Sequence, residues 1–162
     1  MSAENKAQFI TPDAYPQIFE KGASARALKS LRSPQTALKA AMAMEACVAP
    51  MREAVLQYVG EMEKPDASMS RIFDIAHEMR GLAETAGLIT MGRISDLLCR
   101  YMDETKRIGR KPEATIVTLH VAAIGRAARA QEDDIGMGAI VTAELSALVS
   151  RRLNDLRAAA KS

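Results

Sequence analysis

Ile72-Phe73-Asp74-Ile75-Ala76-His77-Glu78-Met79-Arg80-Gly81-Leu82-Ala83-Glu84-Thr85-Ala86 is the stretch whose periodicity decides the fold. Ile72, Ile75, Ala76, Met79, Ala83 and Ala86 recur at steps of three and four, so a helix gathers them on one face. The pattern predicts a helix from about Ala67 to Gly87. Gly87 also reads as a helix C-cap on its own.

Similar stripes lie on both sides. Upstream, Ser33 is a favourable N-cap and Pro34 suits the first helical position. A long helix is predicted from there to Glu63, kinked at Pro50, with Met51, Val55, Tyr58, Val59 and Met62 as its apolar stripe. Downstream, Met91, Ile94, Leu98, Tyr101, Met102, Thr105 and Ile108 mark a helix over about Thr90–Ile108. Pro112 opens another, to about Gln131, whose β-branched run Thr115–Val121 continues a helical stripe through Ile124, Ala127 and Ala128. After the turn at Glu132-Asp133-Asp134 a last helix is expected over Ala139–Ala159. The expected fold is all-α: an antiparallel four-helix bundle over residues 34–131. Residues 1–33 form an N-terminal extension of one or two short helices on the bundle, around Phe9, Ile10, Tyr15, Ile18 and Phe19. An additional C-terminal helix over 138–160 packs on the same domain.

Composition agrees with one helical domain. The chain has 162 residues, 48% apolar and 26% charged, with three Tyr, three Phe, no Trp and ten Met. The formal charge of +2 is too small to argue for nucleic acid or an anionic membrane. No apolar run is long enough for a transmembrane helix, and no secretory signal is visible. Cys47 and Cys99 have no metal-like spacing, so neither a disulfide framework nor a zinc site is expected. A reducing, cytoplasmic setting follows.

The two histidines fall differently on their helices. With Ile72 at zero and about 100° per residue, His77 lands near 140°, opposite the apolar stripe, and is expected in solvent. His120 falls among Leu119, Ala123, Ile124 and Ala127, inside the core arc, and is read as a core residue without a task. Arg80 lies one turn from His77 on the same side. It reads either as a cation beside the imidazole or as a solvated partner of Glu84. Gly81 lies near 180°, where no helix crossing explains a residue that costs about 1 kcal/mol relative to Ala. An imidazole, an adjacent cation and a bare backbone suit a transient phosphoryl group. The ring nitrogen is the nucleophile, the cation offsets charge, and the missing side chain admits a partner.

Ala76-His77-Glu78-Met79-Arg80-Gly81-Leu82-Ala83, with Gly87 ten residues after the histidine and then Leu88, closely resembles the signature of histidine-containing phosphotransfer domains. In that family His-x-x-Lys-Gly lies on one helix of a four-helix bundle. The resemblance covers residues 34–131. It departs at Arg80, where the family usually has Lys, and at Glu84, which sets an anion near the site. The resemblance implies a phosphorelay intermediate rather than a turnover enzyme. His77 would accept the phosphoryl group from a receiver-domain phospho-aspartate and pass it to another response regulator, and a hybrid histidine kinase is a further partner. Arg80 would stabilise phosphoryl charge and Gly81 would admit the partner. Phe73, Asp74, Glu84 and Leu88 would form the docking surface. No cofactor of its own is implied, the Mg²⁺ belonging to the receiver, and a monomer is expected rather than a dimer. Two other readings stay open: a helical adaptor that binds receivers without phosphotransfer, and a dimeric phosphotransferase derived from a histidine kinase bundle. A metal-dependent hydrolase is more distant, since His77 and His120 lack a carboxylate constellation.

Overall fold

The computed structural model describes residues 23–159, so the expectations on Phe9 to Phe19 lie outside the described residues. The protein is all-α: α1 Ala23–Leu31, α2 Pro34–Met62, α3 Met69–Leu82, α4 Ile89–Arg107, α5 Ala114–Arg129 and α6 Ile135–Ala159. None of these helices is long and apolar enough to cross a membrane. Two compact units part at Met42 and Ala43, inside α2. In the first unit, α1 and the start of α2 leave Leu28, Leu31, Leu38 and Met42 exposed. Ser33 caps α2 as its sequence suggests, its Oγ accepting the Thr36 N–H at 3.2 Å. Pro50 lies inside α2 and withholds an N–H from the helix ladder there.

The second unit holds the core. α4 is its centre, packing against α3, α5 and α6. Ile75, Met79, Leu98, Tyr101 and Ile124 are fully buried there, with Val55 and Val59 of α2. The sequence reading has the last helix as an addition packed on the bundle. Leu145, Val149 and Leu153 of α6 are buried in the same core, so α6 is one of its walls.

Helix ends are set by identifiable groups. Ser68 caps α3 by accepting the Arg71 N–H. α3 ends at Leu82, short of Gly87, and one further turn follows. There Leu88 N–H donates to Ala83 O at 2.8 Å and Gly87 N–H to Glu84 O at 3.2 Å, with Gly87 at φ +67. That pair of bonds is the Schellman arrangement, and the left-handed position favours glycine. Arg52 Nε of α2 donates to Ala86 O at 3.1 Å and fixes the same turn.

α6 begins at Ile135, four residues before the expected Ala139, despite Gly136 and Gly138. Asp134 accepts the Met137 N–H at 2.9 Å, and the neighbouring Asp133 accepts the Thr90 N–H at 2.9 Å. One acidic turn therefore serves the starts of both α6 and α4. Gly138 is no helix breaker here. A Cβ on it would collide with the Thr90 side chain, so glycine lets α6 meet α4.

Candidate functional site

His77 is exposed on α3, and His120 is fully buried on α5, as their helical positions imply. The imidazole of His77 has two neighbours. One turn earlier, the ring of Phe73 stacks on it, the centroids 6.4 Å apart and the planes 25° apart. One turn later, Arg80 Nη2 lies 3.3 Å from His77 Nδ1. A guanidinium only donates, so in this contact Nδ1 is the acceptor. The proton of the neutral ring then sits on Nε2.

Arg80 does not pair with Glu84. Its Nη1 reaches across to α4 and donates to Asp96 Oδ1 at 3.1 Å, and Asp96 Oδ2 is held by Arg100 Nε at 3.0 Å. Imidazole, Arg80, Asp96 and Arg100 form one polar chain across the exposed seam of α3 and α4. Asp96 was missed by the sequence reading. Its signal was available, since acid at 96 and base at 100 are an i,i+4 pair away from the apolar stripe of α4. The pair orients Arg80 without neutralising the chain, because two guanidinium groups share one carboxylate.

Gly81 is exposed, and a Cβ built on it meets no atom within 4 Å. The protein itself therefore sets no demand for glycine there. Asp74 and Glu84 are exposed too. Leu88 is not available for docking. It is 1% exposed, because the Gly87 turn redirects the chain and tucks Leu88 into the core at the start of α4. On the other flank of α3, Tyr58 of α2 donates its hydroxyl to Glu78. That bond, the carboxylate charge and some burial hold the phenol above its ordinary value.

Other features carry less chemistry. His120 Nδ1 donates to Ile116 O at 2.8 Å, its Nε2 has no hydrogen-bond partner, and burial lowers its pKa. Burial also raises the Cys99 thiol to about 11, which leaves it protonated and inert. A cavity of about 470 Å³ between α4, α5 and the start of α6 is lined by Ile94, Leu119 and Val141. Of its three lining carboxylates, Asp133 and Asp134 are engaged as helix caps, and Glu132 is the third. Among the described residues no three His, Cys, Asp or Glu side chains gather as metal ligands. Comparison with known proteins finds no matching family model, no matching curated protein and no matching solved structure.

Proposed function

We propose that this chain is a phosphorelay intermediate, a four-helix histidine phosphotransfer domain in which His77 carries the phosphoryl group. The observation that carries the reading is the exposed His77 imidazole with the Arg80 guanidinium 3.3 Å from Nδ1 and the unhindered Gly81 beside it. Nε2 is the ring nitrogen that Arg80 leaves free. In transfer, the Nε2 lone pair attacks the phosphorus of a partner's aspartyl phosphate. The N–P bond forms, the P–O bond to aspartate breaks, and the electron pair leaves with the carboxylate. Onward transfer reverses this on a second aspartate. A Mg²⁺ ion held by the receiver would supply charge compensation at the phosphoryl oxygens.

Attack through Nε2 needs the ring proton on Nδ1, the opposite tautomer from the one Arg80 favours. Arg80 therefore releases Nδ1 in the reactive complex. Turning its guanidinium to the incoming phosphoryl oxygens frees the tautomer and supplies the cation in one movement.

The test is incorporation of acid-labile phosphate from a panel of receiver domains charged with acetyl phosphate and Mg²⁺. Wild type is expected to be labelled, and His77→Gln to be unlabelled with its fold retained. An exposed polar exchange on a helix changes stability by within about 0.5 kcal/mol. Label that survives in His77→Gln sinks the assignment. A second reading, an adaptor that binds receivers without transfer, is favoured by the engagement of Arg80 with Asp96. It gives receiver binding with no label in wild type.

A further inference from the structure

Beyond Phe73 the His77 face opens into a groove of about 280 Å³ between α3, the end of α4 and the turn that leads to α5. Its floor is apolar, from Met69, Phe73 and Met102. Its rim is cationic, from Lys106, Arg110 and Lys111, with Asp103 as the lining carboxylate. Three cations against one anion leave the rim net positive. Phe73 belongs to both places, since it lines the groove and stacks on the His77 ring. The other flank of α3 is net acidic, with Asp74 and Glu78 exposed and the Arg71 cation there paired to Glu61 of α2. His77 thus stands between a basic side and an acidic side.

We infer that this groove seats an acidic surface of the protein that brings the phosphoryl group to His77. The inference rests on the phosphorelay reading. The charge argument selects the occupant. A partner that holds an aspartyl phosphate with Mg²⁺ must gather carboxylates to bind the metal, so the surface around its phosphate is anionic. The basic rim attracts that surface, and the Asp74–Glu78 flank repels it. The partner is therefore drawn in from the groove side, in one orientation. The apolar floor gives it area to bury once seated. Such steering acts on encounter and raises association rates by roughly tenfold to a thousandfold, falling with salt.

The experiment compares wild type with the triple variant Lys106→Gln, Arg110→Gln, Lys111→Gln, using two donors. One is the receiver domain that transfers fastest to wild type, charged with acetyl phosphate. The other is phosphoramidate, a small donor that labels histidine without docking. The variant is expected to raise KM for the phospho-receiver by roughly tenfold. Its maximal rate stays near that of wild type, and the salt dependence of kcat/KM flattens. Phosphoramidate is expected to label His77 equally in both proteins. Unchanged KM and unchanged salt dependence in the variant overturn the groove. So does a loss that phosphoramidate shows in equal measure, because the damage then lies at His77 itself. Failure of the underlying reading looks different: wild type takes no phosphoryl group from any receiver, and the groove proposal falls with it.

Discussion

Arg80 holds two partners in the resting site, the His77 ring at 3.3 Å and Asp96 at 3.1 Å. Two roles follow from one cation, and substitution separates them. Arg80→Ala is expected to slow phosphotransfer about tenfold or more, since a charge-assisted contact to phosphoryl oxygens is worth about 1.5–3 kcal/mol. Arg80→Lys keeps the charge but loses the planar fork, so a smaller loss is expected. Melting should stay near wild type in both, because the Arg80–Asp96 pair is solvent-exposed and worth about 1 kcal/mol at most. A wild-type transfer rate in Arg80→Ala makes the arginine a bystander. Gly81, one residue on, gives a second separation. Open space surrounds its Cβ position, so Gly81→Ala and Gly81→Gln are both expected to fold. Ala should raise stability, by less than the full ~1 kcal/mol of a helix interior, because α3 ends at Leu82. Both should impair transfer from a docked receiver, Gln more than Ala, and neither should impair labelling by phosphoramidate. Normal receiver transfer in Gly81→Gln removes the argument for close approach. The partition of His77 outward and His120 inward was legible from the helix wheel alone. The Asp96 partner was not, because the wheel orders residues within one helix and is blind to which neighbour crosses it.

At the scale of elements, the stripes of α2, α3, α4 and α5 were legible because core contacts impose a period of three to four on the sequence. The ends were less so. The start of α6 was misplaced because Gly136 and Gly138 read as loop, whereas steric demand from Thr90 explains Gly138. Leu88, which the resemblance puts on the docking face, is buried instead, because the turn at Gly87 redirects the chain into the core. The wall-forming role of α6 was also hidden, since a stripe shows that a face is buried but not against what. These glycines differ in a measurable way. Gly138→Ala forces α6 away from Thr90, and Gly92→Ala forces α4 away from Ala83. Each is expected to destabilise by about 1–3 kcal/mol, as overpacking of a tight contact does. Gly81→Ala is expected to do the reverse. Thermal melts of the three variants check the ordering, and a Gly138→Ala protein as stable as wild type would show that the α4–α6 contact gives way freely.

The molecule as a whole records its buried polar groups in the way stability varies with pH. His120 is enclosed in the core, where burial lowers its pKa below the ordinary 6.5. Its hydrogen bond to Ile116 O pulls the other way and is the smaller effect. A histidine whose pKa is lower when folded binds its proton more readily when unfolded. Its contribution to stability is therefore complete above about pH 6.5 and is lost as the pH falls from there toward the folded value. Glu63 responds in a lower window. The Arg129 hydrogen bond holds its carboxyl below the ordinary 4.5, so its contribution persists to about that pH and is lost beneath it. Acid should thus weaken the fold in two stages, first as the core histidine charges and then as the ion-paired carboxylates of Glu63 and Glu104 are protonated. Urea unfolding at a series of pH values separates them. Wild type is expected to lose stability as the pH falls below 6.5, with a slope of at most about 1.4 kcal/mol per pH unit, the limit for one proton. His120→Leu removes the titrating ring together with an Nε2 that has no partner, so it should fold and its slope there should flatten. Glu63→Gln should keep the first slope and reduce the second, which Glu104, held low by Arg107 and Arg157, shares. A His120→Leu protein that keeps the wild-type slope just below pH 6.5 would place the first proton elsewhere and leave His120 silent in the energetics of the fold.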